Sequence, residues 1–226
     1  MKNGTLYGSR LKKAYAQLRA LGKPDIPEPD DPLRRLAIGI LGVGWNEPDA
    51  EKAFDRAMNS MVDWNELRVS YPIELNQATG NVIPQGVKRC KELIDALRTV
   101  YDRENRMSLD RLRGLGRREA RQYLEKLNGV NEYAVAGVLL WSLGGHAIPV
   151  NDRLWANLRE ANLVHPNATR AEVQAFLERH VSGNDAKEFC ILMRSFKAKA
   201  KLKGSGSSAR VATRKRRSGK NRIESA

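Results

Sequence analysis

The stretch Leu127-Asn128-Gly129-Val130-Asn131-Glu132-Tyr133 has the residue types of a phosphate-binding turn. Gly129 can take backbone conformations closed to other residues, and Asn131 tolerates the left-handed region better than most. Ala120, Tyr123, Leu124 and Leu127 fall on one helical stripe before the turn, and Tyr133 to Leu143 is almost wholly apolar after it. A turn between two helices leaves the first amides of the second helix without an internal acceptor. With the helix dipole behind them, such amides attract phosphate. Asn128, Gly129, Val130 and Asn131 are therefore candidate phosphate contacts, with Lys126, Arg117, Arg118 and Arg121 nearby. Those cations can equally be a solvated face, and Glu132 opposes a phosphate at the helix start. Downstream, Ile148-Pro149-Val150 runs extended, Asn151 can cap the next helix, and Asp152 is a carboxylate in its first turn.

Other chemistries are thinly represented. Cys90 and Cys190 are the only cysteines, which excludes a disulfide framework and an all-cysteine metal cluster. His146, His165 and His180 lack the spacing of zinc ligands. No metal site is expected. The first residues lack an apolar core, and no apolar run approaches the ~20 residues of a membrane span, so neither a signal peptide nor a membrane partner is expected. A cytoplasmic setting is expected, at the nucleoid if the source is bacterial.

The charge is unevenly placed. The chain of 226 residues carries +14, but residues 197–226 alone hold 11 Lys+Arg and one Glu, leaving +4 for the rest. A Ser-, Gly-, Lys- and Arg-rich segment cannot bury a core, so a disordered basic tail is expected. Arg214, Lys215, Arg216 and Arg217 would draw it to a polyanion. An RNA partner, a nuclear-targeting signal and a merely solubilising tail read the same way.

The elements that must position these residues are helical. A first helix is expected over 9–21, capped by Ser9, followed by a Pro-rich acidic linker. Asp31-Pro32 opens an apolar core helix to Val43, Gly42 to Asn46 breaks it, and Glu47 to Met61 resumes. Residues 63–70 read as a loop, and helices follow over 70–78 and 85–102, with a single turn from Ser108 to Leu112. The hairpin helices span 117–127 and 132–143, and later helices 152–161, 169–181 and 184–199, the second of these opened by the capping box Thr169-Arg-Ala-Glu172. The fold class is all-α, with about ten helices: 1–30 as N-terminal helix and linker, 31–196 as the globular domain, 197–226 as the tail.

The segment from Asp110 to Leu163 resembles the helix-hairpin-helix DNA glycosylase superfamily (HhH-GPD), whose type member is endonuclease III. The family hairpin reads Leu-Pro-Gly-Val-Gly-x-Lys-Thr-Ala, against Leu127 to Val135 here; an apolar helix and a Pro-Val-Asp segment follow in the family, against Gly137 to Leu143 and Pro149-Val150-Asn151 here. Weaker similarity reaches from about residue 30 to 195. The resemblance implies a two-lobed all-α fold gripping double-stranded DNA, expected as a monomer, in base-excision repair. It implies catalysis by an Asp at the position of Asn151 and, in some members, by a Lys at the position of Tyr133. A phenol forms no Schiff base, so no lyase activity is expected. An amide is neither base nor anion, which leaves two readings of adjacent Asp152, a substitute carboxylate or a first-turn dipole residue turned from the cleft by the ~100° step along a helix. The family's base-displacing Gln falls at about Gly44, with Trp45 beside it as wedge or core residue. The four-Cys iron–sulfur loop of many members has no counterpart, so no cofactor is expected. Two functions stay open: a monofunctional glycosylase removing a damaged or mismatched base, and a non-catalytic DNA-binding or architectural protein.

Overall fold

A computed structural model describes residues 3–196 of the chain. Among these residues there are eleven α-helices and no strand. They are α1 (Gly4–Arg19), α2 (Pro32–Leu41), α3 (Glu47–Asn59), α4 (Trp64–Val69), α5 (Pro72–Ala78), α6 (Gly86–Glu104), α7 (Arg117–Glu125), α8 (Glu132–Gly137), α9 (Asp152–Glu160), α10 (Arg170–His180) and α11 (Ala186–Ser195). A 3₁₀ turn at Asp110–Gly114 precedes α7, and α8 runs on into a π-helical turn at Val138–Ser142.

Local chemistry sets most helix starts. The Asp31 carboxylate accepts from the Leu33 amide at 2.8 Å with Pro32 at the first position. Asn46, Asn131, Asn151 and Thr169 cap α3, α8, α9 and α10 in the same way. The segment 63–70, expected as a loop, forms α4, because the Asp63 carboxylate accepts from both the Asn65 and Glu66 amides and Leu67 anchors the turn in the core. Ser9 caps nothing. It lies inside α1 and donates its hydroxyl to the Thr5 carbonyl. The last helix stops at Ser195.

The helices enclose two cores. The first joins α2 to α8, with Leu36, Ile40, Phe54, Leu93, Leu97 and Leu124 fully buried. The second joins the two ends of the described chain: Leu11 of α1 packs with Ile148, Leu158, Leu177 and Phe189. The π-helical turn passes from one core to the other, with Val138 and Leu139 in the first and Leu140 and Trp141 in the second. α2 and α8 cross with their backbones nearly touching, since a Cβ on Gly39 would lie 2.7 Å from the Ala134 Cα. The acidic linker is anchored at this junction: Ser142 Oγ donates to Asp30 Oδ1 at 2.6 Å, and Arg113 donates to the Asp30 carbonyl.

Candidate functional site

The hairpin between α7 and α8 is built as a rigid turn. Gly129 takes φ +75° and rests on α6 so closely that a Cβ there would stand 2.1 Å from the Glu92 carbonyl oxygen. Arg103 of α6 donates to the Lys126 carbonyl at 2.7 Å, holding the other side of the turn. Asn131, expected in the left-handed region, is extended at φ −114°, ψ 164°, and its side chain accepts from the Ala134 amide. Capping prevailed there because Gly129 alone supplies the reversal. The cap leaves the amides of Glu132 and Tyr133 in the first turn without intrahelical acceptors. Asn128 and Lys126 are exposed, and Val130 and Asn131 are half-buried. Arg121 lies 3.8 Å from both Glu125 and Glu178.

Behind the hairpin, between the two cores, is a cavity of about 70 Å³ lined by Glu47, Tyr133, Trp141, Asn151, Leu154 and Arg194, among others. Of the residues singled out from sequence, Tyr133 and Asn151 meet here. The Asn151 side chain is committed to capping α9, accepting from the Leu154 amide at 2.8 Å. Asp152 does not line this cavity. It pairs with Arg170 at 2.8 Å and lines a shallow groove with Trp155 and Arg159, while its Oδ2 faces Gly44, 3.3 Å from where a Cβ on that glycine would stand. Trp45 is half-buried against the first core. Arg214, Lys215, Arg216 and Arg217 lie outside the described residues, as does the whole of 197–226.

The carboxylate in the cavity is Glu47, the first residue of α3. Its Oε2 accepts from the Tyr133 hydroxyl at 3.2 Å and from Arg194 at 2.7 Å, and its Oε1 meets Arg35. Arg35 also binds Asp30 Oδ2 through Nε at 2.7 Å. The two guanidinium groups lie 5.9 and 5.0 Å from the Trp141 ring centre, Arg35 and Arg194 respectively. Trp141 is buried, and its indole N–H has no partner among the described residues. Burial, and then the negative charge of Glu47, hold the Tyr133 hydroxyl well above the usual phenol range, so it stays a donor. Burial likewise pushes the Cys190 thiol, another lining group, up to about 12.

Sequence reasoning missed Glu47, Arg35, Arg194 and Asp30 as members of this site. Glu47 reads as an ordinary acidic residue at a helix start, and Arg194 meets it across 147 positions of chain. Only the neighbouring cap residue Asn46 and Pro48 locate the turn that carries Glu47. Among the described residues, no group of three or more His, Cys, Asp or Glu side chains is placed to hold a metal ion. No described helix is long and apolar enough to cross a membrane.

No family model matches this sequence, and no curated protein matches it. Solved structures do. The chain superposes on endonuclease III in a trapped covalent intermediate with DNA at a TM-score of 0.66 and 14% identity, covering 82% of this chain and 84% of that one. It superposes on a thermostable thymine-DNA glycosylase at 0.63 and 17% identity, covering 83% and 86%. The H. pylori 3-methyladenine DNA glycosylase MagIII, bound to 1,N6-ethenoadenine, gives 0.58 and 15%, covering 83% and 93%. The chain has the two-lobed helix-hairpin-helix DNA glycosylase fold, as the sequence resemblance implied.

Proposed function

We propose that this chain binds duplex DNA through the 127–133 hairpin and hydrolyses the N-glycosidic bond of a damaged or mismatched base, without cutting the strand. The observation that carries this reading is Glu47, a carboxylate in the cleft behind the hairpin, hydrogen-bonded to Tyr133. It supplies the anion that Asn151 lacks. With the target base swung out of the stack, a step of a few kcal/mol, Glu47 takes a proton from a water as that water's oxygen bonds to C1′ of the sugar. The C1′–N bond breaks, its electron pair leaves with the base, and the proton passes from Glu47 to the departing base. The carboxylate's charge also steadies the positive character that develops on the sugar. Tyr133 orients Glu47 and cannot act as an amine nucleophile, which accounts for hydrolysis without lyase chemistry.

A second reading, a non-catalytic DNA-binding protein, is favoured by two observations. Both Glu47 oxygens are already engaged, and the cavity of about 70 Å³ is far below the ~300 Å³ lower bound of ordinary ligand pockets. The two readings separate in one assay: base release from duplexes bearing oxidised, deaminated or alkylated bases. The glycosylase reading expects release from at least one lesion, lost in Glu47→Gln and kept in Asp152→Asn. Binding of every duplex with release from none would leave the second reading.

A further inference from the structure

Glu47 is held by two arginines that differ in how firmly they are placed. Arg35 is 14% exposed, lies on α2 in the first core, and is shared between Glu47 and Asp30. Arg194 is 44% exposed, lies one residue before the end of α11 in the other lobe, and meets Glu47 as its carboxylate partner. It reaches from the second core to the first residue of α3, so it bridges the two lobes across the mouth of the cavity. Its guanidinium covers Trp141 while its Nη2 occupies Glu47 Oε2, the oxygen that Tyr133 also contacts. One side chain thus masks the aromatic face and the carboxylate oxygen together, in a cavity of about 70 Å³.

We propose that Arg194 is a latch that keeps this cleft shut in the free protein and releases it to the phosphate backbone of DNA. Arg194 is the more exposed of the two arginines on Glu47, and a phosphate offers its guanidinium a bidentate partner in place of the carboxylate. When the guanidinium leaves, Arg35 still neutralises Glu47 Oε1 and Tyr133 still donates to Oε2. The carboxylate stays ordered while its second oxygen and the Trp141 face open. The latch rests on the DNA-binding part of the reading above and not on base release.

The test follows the Trp141 indole N–H by nitrogen-15 NMR on the full chain, assigned by the signal missing in Trp141→Phe, while undamaged duplex DNA is added and binding is read by anisotropy in parallel. In wild type the Trp141 signal is expected to move toward its position in free Arg194→Ala. In Arg194→Ala it is expected to begin there and to move little on binding. Arg194→Gln, which keeps the aliphatic stem, serves if the alanine variant fails to fold. A wild-type signal that stays put while anisotropy reports bound DNA overturns the latch alone. So does an Arg194→Ala spectrum identical to wild type without DNA. No anisotropy change at all overturns the DNA-binding reading and the latch with it.

Discussion

Replacing Gly129 by alanine asks whether the hairpin is fixed by its contact with α6. Two terms act. A non-glycine residue at φ +75° carries about 1–2 kcal/mol of left-handed strain. The new Cβ would meet the Glu92 carbonyl oxygen at 2.1 Å and the Glu92 carbonyl carbon at 2.8 Å, both main-chain atoms of a core helix that cannot rotate aside. Overpacking of that kind costs about 1–3 kcal/mol, so the total is roughly 2–5 kcal/mol. For a body of this size each kcal/mol moves the melting midpoint by about 2–4 °C, so a loss of about 3 kcal/mol lowers Tm by roughly 6–12 °C. Gly144 is the internal control. It has φ +63° with nothing within 4 Å of the point where an alanine methyl would stand, so Gly144→Ala carries the strain alone. The loss of unfolded-state freedom on replacing glycine is common to both variants and cancels. Calorimetric or circular-dichroism melts of the two proteins therefore isolate the α6 contact. Equal Tm values for Gly129→Ala and Gly144→Ala would refute the claim that α6 seats the hairpin.

Asn151→Ala should lose the α9 cap and about 1 kcal/mol of stability, whereas Asn151→Asp should keep both, since either side chain accepts from the Leu154 amide; urea midpoints compare them. Arg35→Ala should cost about 3 kcal/mol by leaving the half-buried Asp30 and Glu47 without their shared counter-ion, against under ~1 kcal/mol for its more exposed neighbour in Arg34→Ala. Similar urea midpoints for the two would count against a buried charge cluster. Burial pushes both Cys90 and Cys190 up to about 12. The folded state therefore keeps thiol protons that the unfolded chain loses above about pH 8.5, and stability should fall as pH rises from there toward 12. An unfolding midpoint that holds steady between about pH 8 and 10.5 would contradict this. Removing residues 197–226, with 11 Lys+Arg, should flatten the salt dependence of DNA affinity; an unchanged slope in a binding titration would remove the tail from the interface.

What the sequence revealed was mostly local. Asp31, Asn151 and Thr169 are legible as caps because a cap is made by residues within three positions of one another. The hairpin is legible because Gly129 and the flanking apolar stripes are contiguous. Two things were lost for want of signal. α4 has six residues and one buried anchor, Leu67, too few to show a helical period. The Glu47 cluster draws on the linker, α2, α3, α8 and α11, and nothing in the neighbourhood of any one of them announces the others. Asp152, next to Asn151 in sequence, does not line the cavity; its carboxylate lies between Arg170 and Gly44, a placement that depends on the distant α2–α3 turn.

The second core has a bearing on how the chain is made. α1 precedes the other described helices, yet its partners lie late in the chain: Arg19 meets Glu188 of α11 across 169 positions, and Arg10 reaches the carbonyl of Asn162, just after α9, across 152. On a ribosome the lobe formed by α2 to α8 can close while α1 still waits in solvent with Leu11 and Ala14 uncovered. Among the described helices, α1 is thus the last to find its place, and until α11 is made the nascent chain carries an unmatched greasy stripe that a chaperone could hold.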